Sequence, residues 1–328
     1  MRRPLSALAL VSVLSVTLSL SAAKSSYQYF AVGSQSDVTT TTTAGTVLMG
    51  GGTDVDAAFQ WMIGKSGGGD FVVIRATGTD AYNPYIFGLG TVNSVETLII
   101  PSRTAAADPF VVAKIRNAEA LWIAGGDQSN YTSFWKGTPV ADAINYVANV
   151  KQAPVGGTSA GLAVLGQFIY TGASGSVTSS QALANPYHRY VTLDRDFVQI
   201  ANLGGVITDS HFVTRDRLGR LVAFLGRIVK DGWASSVRGI GIDEATAILV
   251  NSNGSATRVG SGAAYFMLSN GVPQVCVSGS PLTYTGLAVY KVSGGATFNL
   301  ATWTGAGGST YTVSASSGAL SSSSGSIY

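Results

Sequence analysis

Residues 142–166 read DAINYVANVKQAPVGGTSAGLAVLG. The stretch predicts a helix, a short strand at 154–156, a glycine-flanked turn and a second helix over 162–168. At its centre Gly157, Ser159 and Gly161 form the pattern Gly-x-Ser-x-Gly. Between a strand and a helix this pattern is a nucleophile elbow. The strained turn exposes the serine hydroxyl, and only small residues fit beside it. In a chain with 41 glycines the pattern also arises by accident, as GASGS at 172–176 illustrates. The strand before and the helix after are what separate the two cases.

The same alternation extends outward. Residues 46–78, TVLMGGGTDVDAAFQWMIGKSGGGDFVVIRATG, read as strand, glycine turn, helix, glycine turn, strand. Asp54 is placed as N-cap or first-turn acid of a helix that buries Val55, Phe59 and Met62. The unbroken apolar run 71–74 suits a parallel strand covered on both faces. Further strands are predicted at 97–100, before Gly125, and at 205–208. Strands alternating with helices predict an α/β fold, a three-layer sandwich with a largely parallel central sheet. Gly50, Gly126 and Ser159 each follow a strand end, where such sheets bind ligands. The threonine run 39–43 reads as a linker or a loose first strand. Residues from 255 onward read as short strands that finish the sheet or add a β-layer.

Composition narrows the function classes. With 46% hydrophobic and 11% charged residues, the 328-residue chain has ample material for a core and too little charge for disorder. A net charge of +3 without a dense Lys/Arg block argues against nucleic acid. Arg2 and Arg3, the apolar run 7–20 and Ser21-Ala22-Ala23 read as a secretory signal over residues 1–23. The run is too short for a membrane span, so a secreted protein is expected. Residues 24–305 are then one catalytic domain, and 306–328 a flexible Gly/Ser-rich tail. The lone Cys276, between Val275 and Val277, reads as a buried inert thiol. No metal or other cofactor is expected, because no cysteine pair or His-x-x-x-His is present. Asn130 and Asn253 stand in glycosylation sequons. A homodimer is one candidate assembly.

A serine nucleophile needs a base, and the chain has two histidines. His188 lies in NPYHRY, read as a surface loop. His211 follows an apolar strand in GVITDSHFVTRDRLGRLVAFLGRIV and is favoured as the base. For the third member, VRGIGIDEATAILV places Asp243 and Glu244 between two apolar strands. Either one of them orients the imidazole, or both sit in an exposed hairpin turn. Asp209 is a rival acid, two residues before His211.

Taken together, MGGGTDVDAAFQWM, IAGGDQSNY, GGTSAGLAVLG, TDSHFVTRDRLGRLVAF and GIGIDEATA resemble the cyanophycinase family of serine peptidases, related to dipeptidase E. PLTYTGLAVYKVSGG resembles the family's closing strands, so the resemblance runs over residues 45–303. It implies a class I glutamine amidotransferase-like sandwich and the triad Ser159, His211 and Glu244. It also implies an oxyanion hole from the N–H groups of Gly126 and Ala160. The implied pocket residues are Asp127, Gln128, Asp209, Ser210, Arg215, Arg217 and Arg220. The implied substrate is cyanophycin, a poly-aspartate with arginine amide-linked to each β-carboxyl, cleaved to β-Asp-Arg dipeptides. Ser210 departs from the glutamine of the cyanobacterial type, and the secretory signal departs from the intracellular enzymes. Two rival readings are a secreted isoaspartyl or Asp-X dipeptidase and an inactive surface-binding relative. An ordinary esterase would need an HGGG-like loop and a late histidine, which the sequence lacks.

Overall fold

The computed structural model describes residues 26–328. The secretory signal read at 1–23 lies outside the described residues. Five strands of the alternating region pair in parallel. In spatial order they are β4 (Ser94–Ile99), β3 (Asp70–Arg75), β5 (Ala120–Ile123), β6 (Val155–Thr158) and β2 (Gly45–Met49). β1 (Gln28–Gly33) covers one edge antiparallel to β4. It precedes the threonine run, which forms no strand. Beyond β2 follow β11 (Thr246–Asn251), β12 (Ser255–Gly260), β15 (Thr297–Asn299) and β16 (Thr304–Ala306), all antiparallel. The ten-stranded sheet is therefore parallel only at its centre, and the expected largely parallel sheet needs correction. The chain enters β11 from a turn at Asp243–Glu244, and short connections make β11–β12 and β15–β16 antiparallel hairpins, whereas β12 and β15 are joined through β13 and β14 of the second sheet.

A second sheet of eight strands runs β18 (Ala319–Ser322), β17 (Ser309–Ser316), β14 (Tyr284–Val292), β13 (Ala264–Leu268), β10 (Arg238–Ile242), β9 (Val206–Asp209), β7 (Phe168–Tyr170), β8 (Leu193–Arg195). Two of its strands overturn the expected flexible tail. In β17 Tyr311, Val313 and Ala315 are buried at alternate positions, a period-two pattern hidden among serines and threonines that face outward. That apolar face pairs β17 to β14 and carries β18 with it.

Alternation along the first sheet sorts its residues into two cores. Val47, Met49, Phe71, Val73 and Trp122 pack beneath α1 (Asp56–Lys65) and α2 (Tyr82–Phe87), with Phe59 and Met62 fully buried. Leu48, Val72, Ile74 and Ile123 face the other way. They share a core with α3 (Pro109–Asn117), α5 (Pro139–Asn149) and Ile240, Ile242 and Phe266 of the second sheet. The far face of the second sheet packs on α7 (Ser179–Ala184) and α8 (Leu218–Lys230). Asp54 does not cap α1, which starts behind Val55; its carboxylate accepts from Tyr82 Oη at 3.2 Å. Cys276 is buried, and burial pushes its thiol up to about 11, as befits an inert residue. Among the described residues no helix is long and apolar enough to cross a membrane.

Candidate active site

Ser159 stands between β6 and α6 (Ala160–Ala163) with φ 52° and ψ −112°. Positive φ strains a non-glycine residue by roughly 1–3 kcal/mol, so its surroundings must hold it. Ser159 N–H donates to Met49 O at 3.2 Å, and Ala163 N–H donates to Ser159 O at 3.0 Å. The flanking glycines have a steric cause. A Cβ at Gly161 would lie 1.9 Å from Ile123 O, and one at Gly157 would lie 2.6 Å from the Gly161 carbonyl carbon. Both obstacles are backbone. The helix expected over 162–168 is a single turn instead. Gly166, where a Cβ would meet Val206 O at 2.6 Å, lets the chain pass close to β9, and Phe168 opens β7.

His211 follows β9 and also has positive φ, 46°. Its N–H donates to Gly50 O at 2.7 Å. Ser159 Oγ lies 2.8 Å from His211 Nε2, and His211 Nδ1 lies 2.5 Å from Glu244 Oε1. A carboxylate at Nδ1 fixes the ring hydrogen there and leaves the Nε2 lone pair toward the serine hydroxyl. His211 is 5% exposed. Burial lowers its pKa, the Glu244 hydrogen bond opposes, and Arg215 and Arg217 push the same way as burial. A ring that prefers to be neutral is ready to act as a base.

The acidic dipeptide divides its work. β10 and β11 lie in different sheets, so Asp243 and Glu244 join two sheets and form no hairpin. Glu244 meets His211. Asp243 braces loops, its carboxylate accepting from Val213 N–H at 3.1 Å and Ala263 N–H at 3.0 Å. Burial raises the Asp243 pKa, and those two bonds oppose the rise. Gly50–Gly52, read as a plain turn, is moulded to this relay. A Cβ at Gly51 (φ 97°) would lie 2.5 Å from His211 Nε2, and one at Gly52 (φ 72°) would lie 3.0 Å from Glu244 Cβ.

A cavity of about 260 Å³ opens past Gly125, where a Cβ would lie 3.5 Å from that of Ser159. Gly126, Asp127, Gln128, Arg215, Arg217 and Arg220 line it. Arg215 is mostly exposed and its Nε stands 4.0 Å from Glu244 Oε1. Arg217 donates to Ser210 O at 2.8 Å and to Ser210 Oγ at 3.2 Å. Burial holds Arg217 down to about 10, with Asp209 opposing, so it stays charged at neutral pH. Arg220 binds Asp209 at two points, and Tyr170 lies under its guanidinium, 4.9 Å to the ring centre. Asp209 and Ser210, expected to face the pocket, stand behind these arginines instead. Buried polar groups need partners, and theirs are Arg220 and Arg217. Gln128 Nε2 reaches Tyr170 O at 3.4 Å, and Asp127 caps α4 (Gln128–Trp135) by accepting from Ser129 N–H at 2.9 Å. His188 belongs to none of this; its Nδ1 accepts from Tyr190 N–H at 3.2 Å.

Curated relatives share part of this chain. A protein named cyanophycinase from Synechococcus elongatus is 26% identical over 219 residues, 64% of this chain and 62% of its own length. One of the same name from Nostoc sp. is 28% identical over 212 residues, 63% of this chain and 65% of its own. Over part of its length the chain is similar to proteins named cyanophycinase. It spans less than two thirds of the length of these curated cyanophycinases. No protein-family model matches the chain. The crystal structure of a peptidase from an acI-B1 Actinobacterium shares the fold, with TM-score 0.52 and 16% identity over 79% of this chain and 98% of that one.

Two further features of the chain escaped sequence reading. Tyr131 O–H donates to Ala124 O at 2.8 Å, pinning the turn that carries Gly125 and Gly126. A larger cavity, about 470 Å³, adjoins the glycine loop and is lined by Thr53, Asp54, Asp56, Arg75, Tyr82 and Tyr85. Its residues come from three separate segments with no common motif, so no local signal marks it.

Proposed function

We propose that this chain is a secreted serine peptidase that hydrolyses cyanophycin to β-Asp-Arg dipeptides. The observation that carries the reading is the chain of contacts Ser159–His211–Glu244 beside an arginine-lined cavity. In the proposed reaction His211 Nε2 takes the hydroxyl proton as Ser159 Oγ attacks the scissile carbonyl. The N–H groups of Gly126 and Ala160 receive the negative charge, each worth about 3 kcal/mol. The C–N bond then breaks, and His211 hands its proton to the leaving amine. Water, deprotonated by His211, cleaves the acyl-enzyme, and Ser159 regains its proton. Glu244 holds the imidazole and stabilises its charged form.

Arg215, the most exposed of the cavity's arginines, suits the free carboxylates of the substrate's arginyl groups and of its aspartyl chain end, whereas Arg220 is already paired with Asp209. Asp127 and Gln128 offer acceptors to a guanidinium. The layering is assigned, as part of the same proposal, to the class I glutamine amidotransferase-like sandwich, in one catalytic unit. The test is a digest of insoluble cyanophycin by wild type and Ser159→Ala, with products read by mass spectrometry. Release of β-Asp-Arg by the wild type alone is expected. Equal release by Ser159→Ala removes the mechanism. Cleavage of isoaspartyl dipeptides without cyanophycin moves the substrate to the dipeptidase reading.

A further inference from the structure

The segment between β9 and α8 runs from Ser210 to Arg217, so it carries both the imidazole of His211 and two cavity arginines. Helix α8 has no side-chain cap from its own N-terminal residues. Tyr328 supplies one from 110 positions away: its phenol oxygen accepts from Leu218 N–H at 3.0 Å. The same hydroxyl donates to Asp216 Oδ1 at 2.9 Å and lies 3.4 Å from Phe212 O. Asp216 has positive φ, 47°, and its carbonyl accepts from Ser179 Oγ, so the turn needs outside support. The Tyr328 ring stands edge-on to Phe212 at 5.9 Å and to Tyr265 at 5.8 Å between centres. Phe212 is fully buried, directly follows His211, and fills the space over Gly241, where a Cβ would lie 2.4 Å from its ring. Tyr328 thus touches the segment near both ends. The hairpin of β17 and β18 delivers it, and Tyr311 O–H donates to Ile327 O at 3.1 Å beside it.

We propose that Tyr328 is a positioning residue for the candidate active site, its hydroxyl fixing the Ser210–Arg217 segment by capping α8 and anchoring Asp216. The inference rests on the proposed function in one respect, that Ser159 and His211 are the reacting pair. A displacement of that pair by a fraction of an ångström is enough to slow reaction.

Tyr328→Phe keeps the ring and removes the hydroxyl. A neutral fluorophosphonate reads Ser159 reactivity without reference to cyanophycin. The expected result is a labelling rate about tenfold slower, with the same final fraction labelled and an unchanged far-UV circular dichroism spectrum. Tyr290→Phe, which removes a hydroxyl that accepts from Gly308 N–H and bonds neither the segment nor residues 327–328, is expected to label at the wild-type rate. A wild-type rate for Tyr328→Phe, or equal slowing in both variants, overturns the inference. Should Tyr328→Phe fail to fold, Asp216→Asn replaces it, since asparagine tolerates the same φ while weakening the phenol's acceptor. Slower labelling supports the inference there, and a wild-type rate overturns it. Labelling of the wild type without cyanophycin cleavage removes the proposed substrate and leaves this inference standing. A wild type that neither labels nor cleaves removes both.

Discussion

The Arg220 guanidinium meets the Asp209 carboxylate in a two-point contact, Nε to Oδ2 at 2.8 Å and Nη2 to Oδ1 at 2.5 Å. Their side chains are 3% and 4% exposed, so neither charge has water to turn to when the other is removed. Breaking such a pair on one side costs about 3–5 kcal/mol, because an uncompensated buried charge remains. Arg220→Ala is therefore expected to lose that much in urea unfolding. Arg217 stands 3.5 Å from Asp209 and offers only partial replacement. A loss below about 1 kcal/mol, an ordinary surface effect, would mean that water fills the gap and the pair is not a unit.

Asp243 and Glu244 make opposite predictions from adjacent positions. Glu244→Gln keeps the shape but presents the wrong partner to His211 Nδ1, and kcat is expected to fall about ten-thousandfold with stability little changed. Asp243→Asn puts an amide donor against the Val213 or Ala263 N–H, so stability is expected to fall by about 1–3 kcal/mol. Turnover per folded molecule should then stay near that of the wild type. Steady-state kinetics and thermal melts of both variants decide it. The reverse pattern would exchange their roles.

What could be read from the sequence was what is local. Gly157, Ser159 and Gly161 sit within one turn, and the strand and helix beside them are periodic, so the elbow was legible. His211 followed from there being only two histidines and one strand end. The residues of the acidic pair left a hairpin turn and a triad acid both open, and only the family resemblance pointed to Glu244; the hairpin is excluded by β10 and β11 lying in different sheets. Local sequence reads the same for a hairpin and for a crossover. Asp209 and Ser210 were misplaced for a related reason: a strand-end position predicts proximity to the pocket but not which side chains lie behind others. The tail was misread by composition. Serine and threonine on the outward face of β17 masked the alternation of Tyr311, Val313 and Ala315.

In the proposed mechanism His211 is the base, a role it can fill only when unprotonated. Its pKa is lowered by burial, against the Glu244 hydrogen bond, with Arg215 and Arg217 adding to the lowering. The acid limb of kcat/KM is therefore expected to have its midpoint below the ordinary histidine value of 6.5. Removing the exposed positive charge in Arg215→Ala relieves part of the lowering, so the midpoint moves up. High salt acts in the same direction by screening. The same shift bears on stability. The folded pKa lies below the unfolded one, so this group's contribution is complete above 6.5 and is lost as pH falls toward the folded value. A midpoint for Arg215→Ala at or below that of the wild type would show that Arg215 does not act on His211.

Gly51→Ala tests the fit of the glycine loop to the relay. Gly51 has φ 97°, and a Cβ there would lie 2.5 Å from His211 Nε2, 2.6 Å from Cε1 and 3.1 Å from Ser159 Cβ. Two penalties act together. The backbone conformation alone disfavours alanine by about 1 kcal/mol. The methyl also enters the space between imidazole and serine, and His211 cannot retreat, since its backbone is held by Gly50 O and its Nδ1 by Glu244. Gly52→Ala is the comparison. It bears a similar backbone cost at φ 72°, but its Cβ meets only the Glu244 side chain, at 3.0 Å, which is partly exposed and has room to shift. Both variants are expected to melt a few degrees lower. Gly51→Ala should lose fluorophosphonate labelling almost entirely, while Gly52→Ala keeps a measurable rate. Labelling of Gly51→Ala within about tenfold of wild type would mean that the loop yields and His211 does not. The 2.8 Å contact between Ser159 and His211 would then be independent of the glycine beside it.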